Sequence, residues 1–249
     1  MKFFSTLLLC YTFTVPAFAQ RNLRNNEQDH REALFKIKLV HHEESSDDKE
    51  SSDDKTKMLS LTIINESFLQ PFSPFFVMVH NSDAERLYVR GQPSSEPLAL
   101  LAENGNPEPL VDYYTSNNDG VGSVTSFSED APYVGGESLQ IEVEVSEEYP
   151  LVTIATMAIN TNDCFTALNG AMLYPGQVLD LPGLDAGSEE NNENCNSIPG
   201  PGCADIDGDN VRSGNGEGFV HVHRGFFGIG DLSADRYDWR NPMMRVVVS

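Results

Sequence analysis

The sequence predicts an all-β fold, an antiparallel two-sheet β-sandwich with short helical insertions. Short runs rich in Val, Ile, Leu and Phe recur along residues 58 to 249, and each is bounded by Pro, Gly or Asn, as is typical of strands that end in turns. One run, residues 139 to 145, alternates between apolar and polar side chains, which indicates an antiparallel strand with one buried face. The stretch is long enough to bury the core of one full domain.

The predicted strands differ in how they should be buried. In the alternating run, the apolar side chains should face the core, while Gln140, Glu142 and Glu144 face water. The other runs are more continuously apolar, which favours interior strands. The six predicted strands are residues 59–64, 75–80, 139–145, 151–157, 219–223 and 243–248.

Two short helices are predicted between the early and the middle strands. Ser95 with Pro97, and then Asn106 with Pro107, provide the polar cap and the early proline that commonly begin a helix. The helices are expected over residues 98–102 and 108–114.

The N-terminus resembles an export signal. Lys2 is followed by the apolar residues 3–15, a stretch too short to span a bilayer, and Ala17-Phe18-Ala19 has the form of a signal-peptidase site. Residues 1–19 are therefore predicted to be a signal peptide. The mature protein is expected to be secreted and extracellular or, in a bacterium, periplasmic or at the cell surface.

Residues 20–57 are predicted to form a disordered, charged linker. The hexapeptide Glu44–Lys49 is repeated identically as Glu50–Lys55, and neither copy contains an apolar residue. Such a segment cannot bury enough apolar surface to offset the entropy lost on ordering. The remaining residues, 58–249, form the predicted sandwich domain.

The predicted domain is strongly acidic. It contains seven Arg, no Lys and 28 Asp or Glu, so it lacks the cations that would neutralise nucleic-acid or anionic-lipid phosphates. The charge favours cations and basic partners instead. No segment after the signal peptide has eighteen consecutive apolar residues, so no membrane span is expected.

Three cysteines remain after the signal peptide. Cys195 and Cys203 flank a loop rich in Pro and Gly that can fold back on itself, so a disulfide between them is the favoured pairing. Cys164 is then a free thiol, and its favoured role is that of a small buried apolar side chain. Competition of Cys164 for one of the other two cysteines is the alternative.

Three carboxylates, Asp163, Asp185 and Glu189, are the candidate metal ligands. They lie on two loops separated by a hairpin-like segment, residues 165 to 181, which could bring both loops to one end of the sandwich. Grouped carboxylates repel one another unless a cation neutralises them, and Ca²⁺ prefers oxygen ligands. From spacing alone, solvated acidic loops are an equally good explanation.

A second acidic group, Asp205, Asp207 and Asp209, resembles the start of a calcium loop. The pattern then departs from an EF-hand, because Asn210 and Gly216 stand where Gly and Glu are required. A flexible acidic insertion is the favoured interpretation over a second ion site.

His221 and His223 are two residues apart on a predicted strand and therefore share a face. With an acid such as Asp231 or Glu217 they could bind Zn²⁺ or Cu²⁺, as a metal-dependent hydrolase would require. Structural imidazoles at a strand end are the simpler explanation. The sequence contains no Gly-x-Ser-x-Gly, no His-Glu-x-x-His and no phosphate-binding Gly loop. A hydrolase that uses paired carboxylates stays an alternative, because such acids have no local signature.

Several stretches together resemble the spondin N-terminal domain family, in its stand-alone secreted form. They occur in the family's order over essentially residues 58–249, which is more specific than any single motif. The stretches that carry the resemblance are residues 62–65, 70–74, 158–165, 184–189, 216–223 and 237–242.

The resemblance implies a β-sandwich similar to calcium-dependent membrane-targeting domains, with Ca²⁺ bound at one end. Asp163 and Asp185 match the family's ligand positions, and Glu189 stands where the family has Asp. Cys164 replaces the usual Trp. The resemblance further implies a recognition or adhesion module without catalytic activity. The expected partner is an extracellular protein or glycan, which the resemblance does not identify.

Overall fold

Two antiparallel sheets form the domain and confirm the predicted β-sandwich. The computed structural model describes residues 56–117, 119–128, 131, 133–204 and 211–249, all within the compact unit Asp53–Ser249. The predicted signal peptide, the repeat of the linker and the Asp205, Asp207 and Asp209 group lie outside the described residues.

The smaller sheet has four strands. In spatial order these are β4 (Ser138–Val145), β1 (Lys57–Asn65), β10 (Met244–Val248) and β7 (Val178–Leu181). Its alternating strands bury one face, as predicted for residues 139–145: Ile141 and Val143 are buried, whereas Glu142 and Glu144 are exposed.

The larger sheet has six strands. In spatial order these are β3 (Val121–Phe127), β2 (Phe75–His80), β5 (Leu151–Met157), β6 (Cys164–Met172), β8 (Gly183–Asp185) and β9 (His221–Val222). All six residues of β2 are buried, because this sheet is covered on both faces. Phe75 packs in the core cluster that includes Leu61 of the other sheet, and Phe76 packs in the cluster that includes Leu98.

Helices cover the outer face of the larger sheet. They are α1 (Glu96–Asn104) and α2 (Glu108–Asn117), and a short third helix, α3 (Ala234–Tyr237), lies near the C-terminus. The hydroxyl of Ser95 accepts a hydrogen bond from the backbone N–H of Leu98 (3.4 Å), as expected of an N-cap. Gly105 ends α1 with φ +66°, a left-handed conformation that favours glycine.

The structure differs from the predicted elements in several places. Strand β8 and helix α3 lie where the sequence predicts no element. Strand β3 was not predicted, because its sequence contains Gly122 and several hydroxyl residues. Residues 165–181 do not form a hairpin, since β6 and β7 belong to different sheets. The predicted strand 219–223 is reduced to two residues.

The cysteines follow the favoured prediction. The sulfur atoms of Cys195 and Cys203 lie 1.97 Å apart, at disulfide distance, and Cys164 is a buried free thiol. Trp239 fills a corner of the core, where its ring centroid lies 5.0 Å from that of His223.

Asn65 belongs to a formal N-glycosylation sequence, Asn65-Glu66-Ser67, but its side chain is part of the core structure. The amide nitrogen of Asn65 donates to the carbonyls of Gln70 and Tyr133, both at 2.9 Å, and the residue is only 2 % exposed. The folded domain therefore offers no accessible acceptor here. Within the described part of the chain, no helix combines the length and apolar character needed to cross a bilayer.

Replacing both Cys195 and Cys203 by Ala should destabilise the domain. The disulfide closes a loop of sequence separation 8, and the chain-entropy model gives a loss of about 2.5 kcal/mol in the free energy of unfolding. Urea denaturation should show a lower midpoint. Wild-type protein under reducing conditions is the control and should match the double variant; a double variant as stable as the oxidised wild type would contradict the prediction.

Candidate functional site

The pairing of β6 with β8 brings two predicted ligands together. Asp163 immediately precedes β6, Asp185 ends β8, and Cys164 is the direct partner of Asp185 in the antiparallel register. The backbone N–H of Ala186 donates to the carbonyl of Asp163 at 3.1 Å. The predicted proximity of the two loops therefore arises from strand pairing within the larger sheet, not from a hairpin.

Asp163 is fully buried, and only one of its two carboxylate oxygens accepts hydrogen bonds. Its Oδ2 accepts bonds from the backbone N–H groups of Ser188 (2.8 Å) and Glu189 (3.1 Å), and from the Ser188 hydroxyl (3.3 Å). Its Oδ1 is buried without a hydrogen-bond partner among the described residues. Burial, reinforced by the negative charge of Asp185, raises the pKa of Asp163 to about 8 against the opposing effect of these hydrogen bonds.

Asp185 is also fully buried, and both of its oxygens are bonded. Oδ1 accepts from the backbone N–H of Gly187 (2.8 Å), and Oδ2 accepts from the side-chain amide of Asn191 (2.6 Å). Burial raises the pKa of Asp185 above its ordinary value. Gly187 has φ +68°, and a Cβ there would lie 2.4 Å from the carbonyl oxygen of Phe219, so glycine allows the chain that precedes β9 to pack against this loop.

Glu189 is the third predicted metal ligand. Its Oε1 accepts a bond from the backbone N–H of Ser213 (2.8 Å), whereas its Oε2 is buried and has no partner in the described structure. Burial raises the pKa of Glu189 to about 7, and the nearby charge of Glu103 adds to the effect. We refer to Asp163, Asp185 and Glu189 as the inner carboxylates.

A different set of three ligand atoms converges around Asp185. Within the described residues, one Asp, Glu or His group meets the geometric requirement for a metal site: ligand atoms of Asp185, Glu217 and His221 all lie within 4.8 Å of one another. We refer to these three residues as the outer set. Glu217 and His221 reach the surface, with side chains 33 % and 27 % exposed.

The hydrogen bonds of His221 indicate its tautomer. Nδ1 lies 2.9 Å from the carbonyl oxygen of Val222, and only a protonated nitrogen can bond to a carbonyl. In the neutral ring, Nε2 therefore carries the lone pair. This atom is buried without a hydrogen bond, 3.5 Å from Asp185 Oδ1 and 4.0 Å from Glu217 Oε2, which is the arrangement of a histidine prepared to bind a metal.

His223 lies on the same side as His221 but is occupied by structural bonds. Its Nδ1 accepts a bond from the backbone N–H of Gly225 (3.0 Å), so its Nε2 donates to the side-chain oxygen of Asn191 (2.9 Å). Burial, assisted by the charge of Arg224, lowers the pKa of His223 to about 3. The ring is neutral and has no free lone pair for a metal.

Of the two acids predicted to accompany the histidines, one lies beside His221 and the other does not. Glu217 joins the outer set, whereas Asp231 accepts a bond from the backbone N–H of Cys195 (3.0 Å). No sequence pattern distinguishes Asn191, which lies in a polar run. Its amide nitrogen bonds both Asp185 and Glu217, the latter at 3.2 Å, while its oxygen receives His223, so it orients the site.

The arrangement can hold a metal ion. Two carboxylates and one imidazole, or several carboxylate oxygens, are established donor sets for divalent cations. The buried, unpaired atoms of Asp163, Glu189 and His221 fit such an ion, because a buried polar atom without a partner is costly. The two sets share Asp185, and they differ in whether nitrogen is included. Among the described residues, the outer set and not the inner carboxylates has all three ligand atoms within 4.8 Å of one another.

Comparison of the sequence with models of known protein families finds no match, and comparison with curated proteins also finds none.

In chelator-treated protein, the free energy of unfolding should fall as the pH rises from 6.5 to 8. The folded-state pKa values of Asp163 and Glu189, about 8 and about 7, exceed the ordinary values of 3.8 and 4.5, so the folded protein retains protons that the unfolded chain has released. Below pH 6.5, the lowered pKa of His223 has the opposite effect. The unfolded chain binds a proton there that the folded ring does not, so the free energy of unfolding falls as the pH falls. Between pH 6.5 and 8, Asp163 alone should account for a loss on the order of 1 kcal/mol in the free energy of unfolding.

Urea denaturation at several pH values measures this dependence. Asp163→Asn keeps an oxygen that can accept the backbone N–H groups of Ser188 and Glu189 but removes the charge, so it should flatten the pH dependence. Glu142→Gln, on the exposed side of β4, is the matched control and should leave it unchanged. An unaltered slope in Asp163→Asn would contradict the assignment.

Proposed function

We propose that the protein is a secreted, calcium-stabilised recognition or adhesion module without catalytic activity. The observation that carries the proposal is the pair of buried carboxylate oxygens, Asp163 Oδ1 and Glu189 Oε2, that lack hydrogen-bond partners among the described residues. Each belongs to a residue that is at most 1 % exposed. An ion that accepts both oxygens would offset the cost of burying these charges.

Calcium is the proposed ion because the inner carboxylates supply oxygen only. Ca²⁺ takes six to eight oxygen ligands in flexible geometry, and extracellular modules need only weak sites because calcium is abundant outside cells. The proposed export of the chain and its resemblance to the spondin N-terminal domain family favour the same ion. Asp163, Asp185 and Glu189 would hold it.

The role in recognition is supported by the surface beside the site. The segment that contains β9 exposes several apolar side chains, and the guanidinium of Arg224 lies 4.8 Å from the ring centroid of one of them, Phe227. These side chains lie within one short segment of an acidic domain, and contiguous exposed apolar patches are characteristic of contact regions. The proposed partner is an extracellular protein or glycan. The exposed side chains are Phe219, Val222, Phe227 and Ile229.

A metal-dependent hydrolase is the second candidate, and the outer set is the observation that favours it. His221 presents a nitrogen lone pair beside two carboxylates, and a donor set that includes imidazole suits Zn²⁺ better than Ca²⁺. The sequence pattern also suggested His223 as a ligand, but both nitrogens of that ring are committed to hydrogen bonds. Only His221 remains available for such a role.

Thermal unfolding distinguishes the two candidates. After chelation, about 1 mM Ca²⁺ should raise the Tm by roughly 5–10 °C, as expected for a ligand well above its Kd in a domain of this size. Asp163→Asn and Glu189→Gln should each remove most of the rise, because each loses a ligand charge. Glu142→Gln should retain it.

Zn²⁺ and His221→Ala complete the experiment. A rise with Zn²⁺ alone that disappears in His221→Ala would replace calcium with a transition metal and favour the hydrolase candidate. Stoichiometric zinc, copper or iron in elemental analysis of the purified protein would agree with that outcome. No shift with either ion would overturn the proposal of a stabilising cation.

A further inference from the structure

The sequence contains three Asn-Gly pairs, which are chemically vulnerable points of a polypeptide chain. The backbone nitrogen of the glycine can attack the side-chain carbonyl of the asparagine, since glycine has no Cβ to obstruct the approach. Asparagine is one of the thermolabile residue types. The three pairs are Asn104-Gly105, Asn169-Gly170 and Asn215-Gly216.

Hydrogen bonds hold the glycine nitrogen in two of these pairs. At the end of α1, the N–H of Gly105 donates to the carbonyl of Leu101 at 2.9 Å. In β6, the N–H of Gly170 donates to the hydroxyl of Thr153 at 2.8 Å. A nitrogen that donates such a bond has to be released by local opening before it can attack. The fold therefore protects both pairs.

The third pair, Asn215-Gly216, has no such protection. Asn215 is exposed, and the N–H of Gly216 has no hydrogen-bond partner in the described part of the chain. The backbone of Asn215 is left-handed, with φ +66°, which is uncommon for a residue with a Cβ. A Cβ added at Gly214 or Gly218 would meet no atom within 4 Å, so the chain on either side has room to rotate.

The segment that contains this pair supports both donor sets. Ser213 donates its backbone N–H to Glu189 of the inner carboxylates at 2.8 Å, and Glu217 belongs to the outer set. Gly216 lies directly against the loop that follows β8, because a Cβ there would lie 2.5 Å from the carbonyl oxygen of Gly187. A longer backbone between Ser213 and Glu217 would therefore displace Glu217 and the hydrogen bond that holds Glu189.

We propose that Asn215 is a site of spontaneous deamidation and that its isoaspartate product loosens both donor sets. The nitrogen of Gly216 forms a bond to Cγ of Asn215, the C–N bond of the side-chain amide breaks, and ammonia leaves with the proton of the Gly216 N–H. Water then opens the resulting succinimide at one of its two carbonyl carbons. Opening at the main-chain carbonyl gives isoaspartate, and opening at Cγ gives aspartate.

The two products differ in their effect on the backbone. Both add a negative charge to an acidic domain. In isoaspartate the chain continues through the former side chain, which adds one carbon to the backbone between Ser213 and Glu217. The deamidation itself requires no bound cation, whereas its effect on a cation rests on the proposed calcium-stabilised module.

Incubation of the folded protein in mildly alkaline buffer, followed by peptide mass spectrometry, tests the site. Deamidation at Asn215 should be about tenfold or more faster than at Asn104 or Asn169, because a hydrogen bond must first break at those two pairs. In urea, where the unfolded chain has lost these bonds, the three rates should converge. Equal rates in the folded protein, or a product that forms mainly at Asn104 or Asn169, would overturn the assignment.

Asn215→Gly and Asn215→Asp are the matched variants. Asn215→Gly accepts the left-handed φ without cost and has no side-chain amide, so it should release no ammonia at this position. Asn215→Asp carries the added charge without the longer backbone. It therefore separates the effect of the charge from that of the isoaspartate.

Thermal unfolding of the aged protein tests the consequence. Anion-exchange chromatography isolates the deamidated form, and fragmentation mass spectrometry gives its share of isoaspartate. In chelator, this form should have a lower Tm than Asn215→Asp, because the longer backbone displaces the support of Glu189. An equal Tm would contradict the proposed loosening.

Addition of Ca²⁺ separates this inference from the proposed function. The rise in Tm with Ca²⁺ should be smaller in the isoaspartate form than in Asn215→Asp, and an equal rise would contradict loosening of the cation site. Absence of a rise in unmodified protein would overturn the calcium-stabilised module. In that case the deamidation rates and the Tm values in chelator would still decide whether Asn215 is the site and whether isoaspartate loosens the loops.

Discussion

Burial of carboxylates where β6 pairs with β8 is the constraint on which this end of the sandwich depends. Asp163 and Asp185 are brought side by side by backbone register and are completely enclosed. A buried charge is tolerated only where donors surround it. The following loop provides them, because the backbone N–H groups of Ser188 and Glu189 turn toward Asp163 and that of Gly187 toward Asp185. The conformation of the loop is therefore set largely by the two aspartates.

Glu193 shows that the same region can satisfy a buried carboxylate completely. It is 4 % exposed, and its two oxygens accept bonds from the backbone N–H groups of Phe227 (2.6 Å) and Ile229 (2.8 Å). Asp163 and Glu189 are equally enclosed, yet each retains an oxygen without a donor. The contrast within one set of loops indicates that the unpaired oxygens belong to a specific arrangement, and it favours a cationic ligand over generally poor packing.

The sequence predicted the fold better than the site. Alternation and apolar runs identified six strands because burial imposes a period on one chain segment at a time. Strand β3 lacks a strong apolar period, and the β6–β8 pairing joins segments in a way that no local pattern specifies. For the site, the sequence offered Asp231 and Glu217 equally as partners of the histidines, and the choice of Glu217, like the role of Asn191, depends on loops that meet only in the folded chain. Likewise, the exclusion of His223 follows from its hydrogen-bond partners, not from its spacing to His221.

The inner and outer sets differ in solvent exposure, and this difference affects the role that a bound ion could have. The inner carboxylates are at most 1 % exposed, so an ion held by them alone would be enclosed by the loops and would act mainly by fixing their positions. The outer set includes two partly exposed side chains, Glu217 and His221, and an ion bound there could meet a ligand from solvent. Asp185 belongs to both sets, and its two oxygens already accept hydrogen bonds. Asp163 and Glu189 in the inner set retain unpaired oxygens, and His221 in the outer set retains an unpaired nitrogen, so the proposed stabilising role rests on the depth of the inner carboxylates and not on the unpaired atoms alone.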